Sequence, residues 1–125
     1  MKRILLACFL FTATCSITQA QTASETVSKS SFTARVKQLD TYIGQSKMTE
    51  ANATFQEINK MMMSELGIIK MHIANASSET EKTEYMSIML NQQTLYSNIY
   101  QLKADMTTNR TAIGTKLAEF STTIK

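Results

Sequence analysis

Apolar side chains recur along this chain at steps of three and four residues, the spacing that gathers them on one side of an α-helix. Phe32, Val36, Leu39 and Ile43 form a first stripe, with Arg35, Lys37 and Asp40 turned elsewhere. A second runs through Met48, Ala51, Phe55, Ile58, Met62, Leu66, Ile69, Ile73 and Ala76, and at 1.5 Å per residue it predicts a rod of about 40 Å. A third follows Tyr85, Ile88, Gln92, Leu95, Ile99, Leu102 and Met106, and a short fourth follows Ile113, Leu117, Phe120 and Ile124. The middle two are broader than a single seam: Met61, Met63, Ile68 and Met71 lie off the second stripe, and Met86, Met89, Leu90, Tyr96 and Tyr100 widen the third. A helix apolar over so wide an arc touches more than one neighbour.

The breaks between stripes carry helix-end signals. Ser24 before Glu25, or Ser30 or Ser31, can open the first helix, and Gly44-Gln45-Ser46 closes it. Asn75-Ala76-Ser77-Ser78 reads as a turn in which Ser78 and Glu81 have the spacing of a capping box, each side chain satisfying the other's exposed backbone N–H. Glu79, Glu81 and Glu84 suit the positive end of the following helix dipole. Two long helices joined so tightly must double back on each other. Thr107-Thr108-Asn109-Arg110 predicts a further turn; the alternative is one continuous helix from Glu79 onward, projecting far beyond its partners. Proline is absent and glycine occurs only at positions 44, 67 and 114, a composition that suits long helices and starves strand-and-turn folds of breakers. The expected fold is an all-α, antiparallel up-and-down bundle of four helices with a longer central pair, occupying 28–125. A three-helix form, or a dimer completing the core, is the alternative.

Residues 1–20 have the layout of a cleavable secretory signal: a cationic head at Lys2 and Arg3, an apolar run from Ile4 to Phe11, and a small-residue cleavage site at Thr18-Gln19-Ala20. Cleavage there leaves Gln21 as the new N-terminus, residues 21–27 as an unstructured lead, and a periplasmic or extracellular destination. The apolar run is too short to span a bilayer, so no transmembrane segment is expected. Leu5-Leu6-Ala7-Cys8 has the residue types of a lipoprotein box, but the run before Cys8 is too short for a normal signal core. Both cysteines, Cys8 and Cys15, fall within the signal, so no disulfide is expected after cleavage. Losing Lys2 and Arg3 leaves 11 basic against 10 acidic residues. That near-neutral, interspersed pattern lacks the footprint of a nucleic-acid binder.

Candidate chemistry is sparse. Met61, Met62 and Met63 with His72 are the candidates for a metal, since thioethers take Cu(I), which makes a periplasmic Cu(I) or small-ligand carrier the alternative function. Consecutive methionines point about 100° apart on a helix, however, and methionine is a common filler of irregular cores, so no metal is expected. His72 is the sole histidine, and G-x-S-x-G, H-E-x-x-H, Walker A and Rossmann patterns are absent, so no enzyme is expected. In length and architecture alone the chain resembles the cytochrome b562 family, whose haem ligands are a methionine in the first helix and a histidine in the last. The first stripe here has no methionine and no histidine follows His72, so no haem or other cofactor is expected. Asn52, Asn75 and Asn109 head N-x-[ST] sequons that only a eukaryotic secretory pathway would use. What remains is an exported, non-enzymatic interaction module that binds itself or a protein partner through Met- and Tyr-rich faces, with Met63, Met71, Met86, Tyr96 and Tyr100 as the candidate contacts.

Overall fold

The structure, a computed structural model, describes residues 27–124. The expected signal and residues 21–26 of the expected unstructured lead lie outside them. Four α-helices follow one another: α1 (Lys29–Gly44), α2 (Met48–Ala74), α3 (Glu79–Leu102) and, after a 3₁₀ turn at Lys103–Asp105, α4 (Arg110–Thr123). Each packs on the next, and α4 closes the ring against α1. The arrangement is the antiparallel four-helix bundle that the periodicity predicts, with α2 and α3 the longer pair.

Each helix end has an identifiable cause. Ser28, rather than Ser30 or Ser31, caps α1, its Oγ accepting the Ser31 N–H at 3.4 Å. Val27, expected in the unstructured lead, instead packs against the core. At the other end of α1 the Ser46 N–H reaches Ile43 O at 3.0 Å and the Lys47 N–H reaches Tyr42 O at 2.9 Å, the bond pair of a Schellman stop. That motif places its left-handed residue at position 46, where Ser46 has φ 59°. Glycine takes that conformation without steric cost and serine does not. Ser46→Gly is therefore expected to stabilise the fold by about 0.5–1 kcal/mol, read as a higher urea midpoint with an unchanged slope.

The α2–α3 turn is capped as expected on one side: Ser78 Oγ accepts the Glu81 N–H at 3.1 Å. The return bond is displaced by one residue. Glu81 Oε2 accepts from the Ser77 N–H at 2.8 Å and the Ser77 hydroxyl at 2.7 Å, and these bonds hold its carboxyl below the usual range. At the next turn α3 ends at Leu102, one turn earlier than the stripe suggests. Local side chains offer the backbone other partners there: Asn109 Nδ2 donates to Leu102 O at 3.0 Å, and Asp105 accepts from the Thr108 N–H and hydroxyl. Met106 consequently leaves the helix, yet its side chain stays buried.

The core is drawn from all four stripes. Phe32 of α1 and Phe120 of α4 stack with ring centroids 5.6 Å apart. Leu39 and Ile43 from α1, Ala51, Phe55, Ile58 and Met62 from α2, Leu95 and Ile99 from α3, and Met106, Ile113, Leu117 and Ile124 complete it. Met48, Val36 and Leu102 are half-buried at its edge. Arg35 bridges Glu57 at 2.9 Å, and Arg110 holds Asp40 through two bonds of 2.7 and 3.0 Å. Gly44 permits the latter, because the Arg110 guanidinium lies 2.8 Å from where a Cβ would stand.

These cross-helix contacts also fix the levels of the bundle. Gln92 of α3 meets Glu65 of α2 and Thr123 at the end of α4, while the Arg35–Glu57 pair sets the start of α1 near the same height. Beyond that level α2 and α3 run on to the turn that joins them. From Glu65 to Ala74 this extension measures about 14 Å.

Candidate interaction surface

A helix that packs on two neighbours buries the inward part of its arc and leaves the outer part to water. On α2 the buried line runs through Ile58, Met62, Leu66 and Ile69, and on α3 through Gln92, Leu95 and Ile99. Met63 and Met71 fall outside the first line, and Met86, Leu90 and Tyr100 outside the second. Among the described residues these are the exposed large hydrophobics: Met63 53%, Met71 48%, Met86 42%, Leu90 59% and Tyr100 58%. None lies on α1 or α4, whose apolar residues the core absorbs.

Register puts four of the five at similar heights along the α2–α3 pair. Glu65 faces Gln92, and His72 stacks on Tyr85 with ring centroids 4.7 Å apart. In that antiparallel register Met71 is level with Met86, and Gly67 with Leu90. Met63, Met71, Met86 and Leu90 thus occupy the same few turns of the α2–α3 layer, while Tyr100 stands nearer the α1–α2 turn. Gly67 lies midway between Met63 and Met71 on the same helix flank, and a Cβ placed on it would meet none of the described residues within 4 Å.

Met63, Met71, Met86 and Tyr100 are exposed as expected. Tyr96 is half-buried, packing against the core and stacking on Tyr100 at 6.4 Å, so it supports the surface more than it forms it. Leu90 and Gly67 are exposed as well and were not among the expected contacts. The signal was present for both, because Met63, Gly67 and Met71 form a row at i±4, as do Met86 and Leu90. The metal candidates diverge: Met62 is buried, Met61 is half-buried against the core, and Met63 faces outward. His72 is nine residues from Met63, about 14 Å along the helix axis.

A second feature lies beneath the hairpin. Glu65 is 4% exposed and Gln92 fully buried. Gln92 Nε2 donates to Thr123 Oγ1 at 2.9 Å and more weakly to Glu65 Oε1 at 3.5 Å, while Gln92 Oε1 has no hydrogen-bond partner. Burial pushes the Glu65 carboxyl above the usual range, against the Gln92 bond and the charge of His72. Glu65 stands three residues after Met62 and four before Ile69, which is itself core spacing. A shallow cleft between α1 and α4, lined by Val36, Ile43, Arg110 and Gly114 among others, has room for about one water. Among the described residues there is no group of three or more His, Cys, Asp or Glu placed to hold a metal ion, and no helix is long and apolar enough to cross a membrane.

Fold and surface together define a class, the up-and-down helical bundle with an apolar face on its long helix pair. No family model, no curated protein and no solved structure matches the chain.

Proposed function

We propose that this chain is an exported, non-enzymatic module that binds protein through the outer face of its α2–α3 layer. The observation that carries this reading is the segregation of exposed large hydrophobics: Met63, Met71, Met86, Leu90 and Tyr100 all stand on the long pair. Scattered apolar residues on a surface are ordinary, whereas several within one stretch of two helices are the pattern of a contact face. Methionine suits such a face, because its flexible, polarizable side chain adapts to a partner's shape. The export part of the proposal rests on the layout of residues 1–20.

Site-specific photo-crosslinking tests the reading. A photoreactive residue is placed at Met86 or Leu90, and as a control at Thr41 of α1 or Lys116 of α4, in cells that make the full chain. Expected are discrete adducts of one recurring mass from the α2–α3 positions and none from the controls. Equal labelling from all four positions, or none from any, would remove the support.

A further inference from the structure

We infer that the α2–α3 face docks a second copy of this chain, with the two α2 helices crossing antiparallel about a two-fold axis at Gly67, so that Met63 of each copy meets Met71 of the other. The inference rests on the reading of this face as an interaction surface and names its partner.

Symmetry of the row is the first argument. A two-fold interface is self-complementary: if residue i of one copy touches j of the other, j touches i. Met63, Gly67 and Met71 form an i±4 row, the kind of ridge used in the commonest class of helix crossing. It reads the same in both directions, a large apolar side chain four residues to either side of a glycine. Turning a second copy about Gly67 places methionine against methionine and glycine against glycine.

The glycine itself is the second. In the middle of a 27-residue helix, it costs about 1 kcal/mol relative to alanine. Among the described residues nothing requires it, since none of them has an atom within 4 Å of an added Cβ. At Gly44, by contrast, the Arg110 guanidinium occupies that space. A missing side chain with no internal reason, at the centre of an apolar row, is what close approach by another backbone demands. Gly114 is equally open but has Arg110 and Ala118 at i±4, which make no apolar row.

Area and charge agree. At their fractional exposures Met63, Met71, Met86 and Leu90 offer roughly 400 Å² per copy, about half of the ~800 Å² each partner buries in a standard interface. Polar rim atoms supply the other part in most such interfaces. Lys60 lies as far before Gly67 as Ala74 lies after it, so the two-fold carries each Lys60 toward the C-terminal end of the other α2. The last carbonyls there form the negative end of the helix dipole, and that turn's only basic residue is His72.

The test uses protein produced from the full 125-residue sequence. Sedimentation equilibrium from low micromolar to submillimolar concentration is expected to show a monomer passing to a dimer. Gly67→Leu should weaken association by about tenfold or more while leaving thermal stability unchanged or raised, because leucine is the better helix former. In full chain with Cys8 and Cys15 replaced by serine, Met63→Cys mixed with Met71→Cys should form an intermolecular disulfide on oxidation, and each variant alone should form little. A monomer at every concentration, association that Gly67→Leu leaves intact or strengthens, or self-crosslinking of Met63→Cys equal to the mixture would each overturn the inference. If a monomer still gives adducts with a different protein from Met86 or Leu90, the self-docking fails and the interaction module stands. A monomer with no adducts sinks both.

Discussion

Phe120→Ala is expected to cost about 3–5 kcal/mol of folding stability, among the largest losses for a truncation of any described residue. Phe120 is fully buried and stacks on Phe32 across the α1–α4 seam. Its helix has only 14 residues, too few to be stable alone in water. What holds α4 in place is Ile113, Leu117, Phe120 and Ile124, all buried, and removing the aromatic ring opens a cavity in the middle of that contact. A domain of this size has about 5–15 kcal/mol in total, so the variant should be marginal at room temperature. Urea denaturation followed by circular dichroism measures the loss. Phe32→Ala should cost a similar amount, and the double variant less than both together by about 0.5–1.5 kcal/mol, the part that belongs to the ring pair. Strict additivity would mean that the stack contributes nothing beyond burial.

The second large effect is pH-dependent and centres on Glu65. Its carboxyl is raised from an ordinary value of 4.5 chiefly by burial, so the folded chain holds that proton more tightly than the unfolded one. Its favourable contribution is complete below the unfolded value and is lost as pH rises through the higher folded value. Asp40, Glu81 and Asp105 act in the opposite sense. Hydrogen bonds from Arg110, Ser77 and Thr108 respectively lower their carboxyls, so their contributions are present at neutral pH and fade as pH falls through the lowered values. Glu65→Gln separates the two trends. The amide keeps the shape, needs no proton, and can donate to Gln92 Oε1, which is otherwise unpartnered. The variant should exceed the parent by about 1–2 kcal/mol near neutral pH, with the difference shrinking toward about pH 4 as the parent's carboxyl takes up its proton. Denaturation of both proteins across that range decides it, and a variant less stable than the parent at neutral pH would contradict the buried-carboxyl account.

Much of this architecture is readable from residue spacing. The stripe Ile113, Leu117, Phe120 and Ile124 predicts four core positions, and all four are buried. Ser78 marks the start of α3 because its side chain and the N–H it caps are three residues apart, a distance visible in one dimension. Glu65 shows where spacing was overridden by residue type. The 4-4 step from Ile58 through Met62 to Leu66 passes over it, although position 65 faces inward as directly as its neighbours. Met106 shows the reverse: its periodicity belongs to α3, but Asp105 and Asn109 give the backbone local partners and the chain turns before reaching it.

By itself the sequence determined the helices and which side of each is apolar, because both depend on intervals of three, four or seven residues and on the chemistry of single side chains. It also determined that α2 and α3 double back, since a four-residue turn leaves no other path. Only the tertiary structure decided how much of each wide apolar arc the neighbours consume. That quantity depends on where α1 and α4 stop relative to the hairpin, and this follows from contacts between residues as distant as Arg110 and Asp40 or Gln92 and Thr123. The same sequence pattern therefore leaves Tyr96 half-buried against the core and Leu90 exposed on the same helix. Burial is a property of the assembled set of helices, and no single stripe carries it.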